Sequence, residues 1–451
     1  MTVLGPSPIS TYTGPFTASQ ATRLLWRAGF GPKPGQALQL ASLGLDGAVA
    51  SLTRPVGAPV FTGAPPSNGS GPPLDPINNF GDANTWWLDR MIRSDQSLIE
   101  RMTLIWHSWF ATSVEASTAR MMINQNWMMR GNALGSFYNL LLAVTVDPAM
   151  LMWLSGAANT KDVPNENYAR EMMELFTLGA DSGYTQQDVE EQARALTGWT
   201  HSWGSDGPTD IHYDPTLHDT GSKTIFGQTG AFTWQDSCRL CVTHPAHPSF
   251  MVNKLWSYFV GAPPAAADLA GLTTAYVKGG FQVRPLVEAI LRHPLFYDGP
   301  LMVIPPAVYV AGLHRAAGMT ITTSAWWWIC QAMGQLLFFP PNVAGWDYTC
   351  WLDTARWQAR LTAVNHLLAN DFLNPNGTTY SATETAQQAL TSALQFWDNP
   401  TLSTETTDNL IAYGNQVQAG ITANWEQTVY RIMRQNALRT LIPITPDWQT
   451  C

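Results

Sequence analysis

The sequence predicts an all-α fold, namely a large orthogonal bundle of many helices with long irregular loops and at most a minor β-hairpin. Apolar residues recur at intervals of three and four through most of the chain, which is the period of a helix with one buried face. Strand-like runs are isolated, and neither a βαβ alternation nor a repeat of fixed period occurs. A parallel α/β sheet and a solenoid are therefore excluded.

Local signals divide the chain into three parts. Thr17 is suited to be the N-cap of the first helix, and Gly31 follows the end of that helix. We predict an N-terminal arm over residues 1–16, a helical core over 17–370, and a C-terminal helical extension over 371–451 that packs on the core.

Two segments lack any helical period. Residues 55–82 are rich in Pro, Gly, Ser and Asn and predict a surface loop. Residues 200–235 combine turn residues with His201, His212 and His218. Long irregular segments in compact proteins commonly bind or cover a ligand, so we expect residues 200–230 to close over a site.

The composition is poor in charge and rich in aromatic residues. Of 451 residues, 13% are charged, against an average of about 25%, and 20 are tryptophan. Such a chain must bury a large apolar area or line cavities with it. The net charge of −9 provides no basic surface for a phosphate backbone, so nucleic acid is not expected as a partner.

Cysteine usage and the N-terminal sequence indicate a compartment. The five cysteines, an odd number, fit free thiols in a reducing environment better than a disulfide framework. The first residues resemble no signal peptide, and no run of about 18 apolar residues occurs. We therefore expect a soluble, cytoplasmic protein with no membrane partner.

The stretch "NENYAREMMELFTLG" contains the main candidate site, and we call residues 165–176 the acidic helix. Glu166, Arg170 and Glu174 are spaced by four and would form a ladder of opposite charges along one face. Glu171 lies on a neighbouring stripe. The ladder is explained either by a solvated, self-paired face or by a partly buried functional cluster, whose carboxylates would need Arg, His or a metal ion as partners.

A second candidate lies in "ERMTLIWHSWFATS". Glu100 and His107 are seven residues apart and project from nearly the same helix face. His107 stands between Trp106 and Trp109, a setting that lowers a histidine pKa unless a carboxylate compensates. It is either a core histidine or, if a carboxylate of the acidic helix faces it, a base or metal ligand.

Two further groups of polar residues remain open. His218 and Asp219 are adjacent and could converge only in a turn. In "DSCRLCVTHPAH" the spacing C-x2-C-x2-H-x2-H differs from that of a zinc knuckle, which leaves structural zinc and core packing of Cys238 and Cys241 as alternatives. Dinucleotide-binding, P-loop, zinc-protease, nucleophile-elbow and di-iron motifs are absent.

Seven motifs in this order resemble the bacterial family DUF1800, a domain of unknown function, over residues 19–365. They are "RLLWRAGFGP", "ERMTLIWHSWFATS", "NENYAREMMELFTLG", "YTQQDVEEQARALTGW", "HDTGSKTIFGQTGAF", "HPAHPSFMVNKLWSYFV" and "PPNVAGW". The resemblance implies no activity, but it implies that the candidate polar residues belong to motifs typical of the family. It also implies that Cys238 and Cys241 replace aliphatic residues, which favours core packing.

The leading hypothesis is an enzyme whose acidic helix and His107 helix face each other across a tryptophan-lined pocket. It would perform an acid–base or metal-assisted reaction on a small, largely apolar or aromatic molecule, for example one like an isoprenoid. The expected catalytic residues are Glu171, Glu174, His107, Glu166, Arg170, His218 and Asp219. The expected ligands of a divalent metal ion are His107, Glu171, Glu174 and His218.

The rival hypothesis is a non-catalytic binding or scaffold protein, with Arg170 inside a structural salt-bridge network. A protein partner would fit this alternative. The two hypotheses differ in whether a group with a perturbed pKa lies beside an open cavity.

Overall fold

The computed structural model describes residues 9–204, 207–349 and 351–451, and within these ranges the chain is mostly helical. The all-α prediction is therefore confirmed. In the first half of the chain the α-helices are α1 Ala18–Arg27, α2 Gln36–Ser42, α3 Gly44–Thr53, α4 Phe80–Arg93, α5 Ser97–Trp109, α6 Ala119–Gly131, α7 Phe137–Thr145, α8 Pro148–Trp153, α9 Asn167–Glu171, α10 Gln186–Ala195 and α11 Trp234–Thr243.

The second half continues the same pattern. Its α-helices are α12 His247–Ser257, α13 Ala266–Lys278, α14 Val283–Leu291, α15 Pro294–Asp298, α16 Pro306–Ala317, α17 Trp326–Ala332, α18 Thr354–Leu368, α19 Ala386–Phe396, α20 Thr404–Ala419, α21 Glu426–Leu441 and α22 Pro446–Gln449. A π-helix, Met172–Thr177, directly continues α9. Short 3-10 turns are Val114–Ala116, Gly156–Ala158, Pro215–Leu217 and Ile442–Ile444.

Two small antiparallel hairpins occupy the segment predicted to be irregular. Their strands are β1 Trp199–Gly204, β2 Gly207–Tyr213, β3 Lys223–Ile225 and β4 Gln228–Gly230. The turn between β3 and β4 is Phe226–Gly227, and both residues have positive φ, at 49° and 73°. That backbone matches the right-handed twist of a tight hairpin, which explains why so short a segment pairs.

The helix boundaries follow side-chain capping. Thr17 caps α1 as predicted. Its hydroxyl accepts from the backbone N–H of Ser19, and the side-chain oxygen of Gln20 accepts from the backbone N–H of Thr17. Reciprocal capping of this kind satisfies donors that a helix start leaves free. Gly31, with φ of +78°, follows the end of α1.

Two hydrophobic clusters form the core. One contains residues of helices α1–α3 and α5–α15, among them Trp106 and Trp109. The other joins α4, α16 and α18 to the C-terminal helices, and it contains Trp87 and Trp397. These four indoles are almost completely buried and contribute their large apolar area to the packing of the core.

The C-terminal helices pack against helices from the middle of the chain. Leu390 and Leu438 share the second cluster with Leu88 and Val308. The division into an arm, a core and an extension stays a prediction, and residues 1–8 of the arm lie outside the described residues. In the described ranges, no helix has the length and apolar character needed to cross a membrane.

A buried ionic cluster connects α4, α5 and α6. Glu100 is 1% exposed and accepts from Arg90 Nε at 3.0 Å and from Arg130 Nη2 at 2.8 Å. Both guanidinium groups also lie 4.6 Å from the ring of Trp127. One carboxylate therefore compensates two buried cations, and removal of it would leave both without an anion.

We predict that Glu100→Gln lowers the free energy of unfolding by about 3 to 5 kcal/mol, because a buried ion cluster that loses one partner retains uncompensated charge. Urea unfolding followed by circular dichroism measures the change. Glu166→Gln is the matched control, since it removes a partly exposed partner of Arg170 and should cost about 1 kcal/mol or less. Equal losses in both variants would contradict the central role of Glu100.

Candidate functional site

The acidic helix carries the ladder that its spacing predicts. Arg170 Nη2 lies 2.8 Å from Glu166 Oε2, and Arg170 Nη1 lies 3.7 Å from Glu174 Oε1. Gln186 of α10 also donates to Glu166, at 2.9 Å. Partial burial, followed by the charge of Glu174, raises the pKa of Glu171. The ladder is thus largely self-paired and partly exposed to solvent.

The second half of this helix widens into a π-helix. The N–H of Leu178 donates to the carbonyl of Met173 at 2.9 Å, a span of five residues instead of four. The last carbonyls of a helix have no partner within it, and two of them bond to other helices here. Leu175 O accepts from Lys254 Nζ at 2.6 Å, and Phe176 O accepts from Trp109 Nε1 at 3.0 Å. π-Helical turns are found often at functional sites.

His107 lies in an aromatic cage. It is 1% exposed, and its ring centroid lies 5.3 Å from Trp87, 5.6 Å from Phe338 and 5.5 Å from Trp346. Burial lowers the pKa of His107 to about 3, and Nε2 has no hydrogen-bond partner in the described part of the chain. The imidazole is therefore neutral at physiological pH.

The expected convergence of His107 with the carboxylates is not formed as a contact. Across the described ranges, no hydrogen bond or ion pair joins His107 to Glu171 or Glu174. The acidic helix does reach α5, but through the carbonyl of Phe176 and the indole of Trp109. The contact between the two helices thus uses a main-chain carbonyl and an indole N–H instead of the carboxylates and the imidazole.

His218 and Asp219 belong to a different network. His218 is 8% exposed, and its Nδ1 lies 3.0 Å from the carbonyl of Thr197. Asp219 Oδ2 accepts from Arg194 Nε at 2.7 Å. Burial raises the pKa of Asp219, but hydrogen bonds from Arg194 and Gly221 outweigh it, so this pKa lies below its usual range. These contacts attach the hairpin segment to α10.

A metal cluster does not form from the expected ligands. In the residues that the structure describes, no group of three or more His, Cys, Asp and Glu side chains could hold a metal ion. Cys238 and Cys241 are free and buried on α11, and burial raises the pKa of Cys238 to about 12. His247 bonds to Thr177 O instead. Cys350 lies outside the described residues.

The structure brings together another set of residues around an open cleft of about 450 Å³. We call it the outer cleft; it lies between α5, α12 and the segment 339–349, and its lining includes Ser108, Lys254, Tyr258, Trp346 and Tyr348. The Tyr348 hydroxyl donates to Ser108 Oγ at 3.2 Å. Lys254 Nζ lies 4.5 Å from the ring of Trp109. The cleft thus combines an amine, hydroxyl groups and aromatic walls.

A smaller inner cavity of about 30 Å³ adjoins the outer cleft. The two hollows share Ser257, Tyr258, Met302, Val303 and Tyr348. The inner cavity also contacts Arg101, which is 6% exposed.

Sequence reasoning missed Arg101, Ser108, Lys254, Tyr258 and Tyr348. Four of them lie in motifs that the sequence analysis had singled out. Arg101 and Ser108 belong to "ERMTLIWHSWFATS", and Lys254 and Tyr258 belong to "HPAHPSFMVNKLWSYFV". In a sequence, a single basic or hydroxyl residue on an apolar helix looks like a solvent-exposed position. Only the packing of α5 near α12 shows that these residues line the same cleft.

We predict that His107 makes the protein sensitive to acid. Its folded-state pKa lies below the unfolded value of about 6.5, so the unfolded chain takes up the proton first and stability falls as pH decreases from there toward about 3. Between about pH 7.5 and 4.5 the wild type should lose about 3 kcal/mol more than His107→Leu. Urea unfolding at both pH values measures this loss. His212→Leu, at an exposed histidine of β2, should leave it unchanged, and a His107→Leu profile equal to the wild type would refute the assignment.

The comparisons with known proteins agree with the motifs. The family model described as "Protein of unknown function (DUF1800)" matches residues 23–450. No match was found among curated proteins or among solved structures. The match extends through the inner cavity, the outer cleft and the C-terminal helices. The chain therefore belongs to the DUF1800 family.

Proposed function

We propose that the protein is an enzyme that performs acid–base chemistry on a small, largely apolar or aromatic molecule bound in the outer cleft. The observation that carries this proposal is Lys254, an amine without a carboxylate partner in the described residues, placed on the wall of an open, aromatic-lined cleft. Concave, mostly apolar sites with a few converging polar groups are typical of small-molecule binding.

Lys254 has the properties of a general base. Its amine donates to Leu175 O at 2.6 Å and lies over the rings of Trp109 and Phe250, at 4.5 and 5.5 Å. Burial lowers the pKa of Lys254 to about 7, so a large fraction is neutral at physiological pH. A base whose pKa is close to the operating pH is the most effective for proton transfer.

Hydroxyl groups supply the complementary donors. Ser108 Oγ accepts from Tyr348, and both residues line the cleft, where Tyr258 adds a third hydroxyl group. The rings of Tyr258 and Tyr348 lie 5.8 Å apart. A substrate next to Lys254 would therefore meet an amine on one side and hydroxyl donors on the other, with Trp346 as an apolar wall.

The acidic helix takes a supporting position in this proposal. Its π-turn provides Leu175 O, which orients the Lys254 amine, while the Glu166–Arg170–Glu174 ladder is largely paired. Catalytic roles for Glu171, Glu174, His107, His218 and Asp219, and a divalent metal ion among them, stay predictions. The paired ladder favours the alternative in which these charges are structural.

We predict that acetylacetone forms an enaminone on Lys254, because a neutral amine condenses with this diketone and releases water while an ammonium ion does not. Absorbance and peptide mass spectrometry measure the adduct across pH. Lys254→Met should abolish it, and Lys278→Met, at an exposed lysine of α13, should retain it. A wild-type protein with no adduct on Lys254 at mildly alkaline pH would overturn the proposal.

We predict that Gly345→Ala damages the outer cleft. A Cβ at this position would lie 2.6 Å from Ser108 O, and φ is +87°. Gly280→Ala is a matched control, because its φ is also positive, at +66°, but no atom lies within 4 Å of the added Cβ. Both variants should incur about 1 to 2 kcal/mol of backbone strain, and only Gly345→Ala should show an additional loss and slower acetylacetone labelling. Equal effects would show that segment 339–349 does not shape the cleft.

A further inference from the structure

The inner cavity contains a buried cation that forms no hydrogen bond or ion pair in the described part of the chain. Arg101 is 6% exposed, and none of the hydrogen bonds or ion pairs among the described residues involves its guanidinium. Its Nε is completely enclosed without an acceptor. Arg27, the other arginine on this cavity, donates instead to the carbonyls of Phe296, Pro300 and Cys451, at 2.9, 2.7 and 2.7 Å.

An unpaired buried guanidinium is energetically costly. Arginine remains charged in proteins and has five N–H donors, and a buried charge requires a partner or hydrogen bonds. Other buried arginines of this chain satisfy that requirement: Arg130 pairs with Glu100, and Arg315 donates to the carbonyls of Gly31 and Ile92. Among the described residues Arg101 faces a hollow instead of an acceptor, which leaves its donors available to a bound ligand.

We propose that the inner cavity is a subsite for the carboxylate of a small-molecule ligand, held by Arg101 at the inner end of the outer cleft. The proposal rests on the proposed function only for the rest of the ligand, which would extend into the outer cleft. A planar carboxylate matches the parallel donors of a guanidinium. A volume of about 30 Å³ is room for about two water-sized atoms, as in a carboxylate group.

The order of the lining residues along α5 and α12 supports a ligand that extends from the inner cavity into the outer cleft. On α5, Arg101 contacts the inner cavity and Ser108 the outer cleft, seven residues or about 10 Å further along. Tyr258, the C-cap of α12, contacts both hollows, and Lys254, one turn earlier on α12, contacts the outer cleft. A ligand with its carboxylate at Arg101 would therefore place a group about 10 Å away beside Ser108 and Lys254.

This length and the apolar walls define the ligand class. An aryl or alkyl carboxylate with a short chain spans about the distance from Arg101 to Ser108, and its apolar part would contact Trp346, Met302 and Val303. The carboxylate would serve as an anchor, while the chemistry would act on the part of the molecule next to Lys254.

Hydrocinnamate and its neutral analogue hydrocinnamyl alcohol test the subsite by isothermal titration calorimetry on the full chain. We expect the wild type to bind the carboxylate at least about tenfold more tightly than the alcohol. Arg101→Met should remove this preference, and Arg239→Met, at an exposed arginine of α11, should retain it. Equal affinity of the wild type for both compounds, or an unchanged preference in Arg101→Met, would overturn the proposal.

A second measurement separates loss of the subsite from loss of the fold. Since Arg101→Met replaces an uncompensated buried charge with an apolar side chain, its free energy of unfolding should equal or exceed that of the wild type. A marked loss of stability would show that the chain itself satisfies Arg101 and would contradict the subsite.

The two proposals can also fail separately. If Lys254 forms no enaminone but carboxylate binding depends on Arg101, the proposed reaction fails and the subsite stands. If the enaminone forms but the wild type shows no preference for the carboxylate, the subsite alone fails.

Discussion

The burial of charge on α5 is the constraint on which the rest of the structure depends. This helix carries Glu100, Arg101 and His107, and each is at most 6% exposed. In an interior poor in charge, every such group must be paired, neutralised or supplied with an external partner. Glu100 pairs with two arginines, His107 becomes neutral, and Arg101 lies against the inner cavity.

Different contacts therefore fix the two ends of α5. Its first turn is fixed by the ionic cluster with α4 and α6, and its last turn is fixed by the aromatic cage and by Trp109, which bonds to the π-helix. Arg101, next to the first turn, and Ser108, within the last turn, are therefore held in place where they contact the two hollows. Rigid support of this kind is what a binding site requires, because side chains already in position lose little entropy when a ligand binds.

The acidic helix contacts the outer cleft through its main chain and not through its carboxylates. Its carboxylates mostly pair with Arg170, whereas the π-turn presents the carbonyls of Leu175 and Phe176 to Lys254 and Trp109. The main chain of this helix thus orients the amine of the outer cleft. A one-residue widening of a helix has no side-chain period of its own, so the sequence pattern did not reveal it.

The sequence by itself determined the helical class, the α1 N-cap, the charge ladder and the family, since these depend on local spacing, capping groups and ordered motifs. An aromatic setting for His107 was predicted from Trp106 and Trp109, whereas the rings that surround it belong to Trp87, Phe338 and Trp346, which are distant in sequence. Only the tertiary structure decided that His107 is enclosed, that the ladder is self-paired, and that Arg101 and Lys254 adjoin one continuous pair of hollows. The physical reason is that burial and unpaired charge arise where helices distant in sequence pack together, and no local period encodes which groups find a partner there.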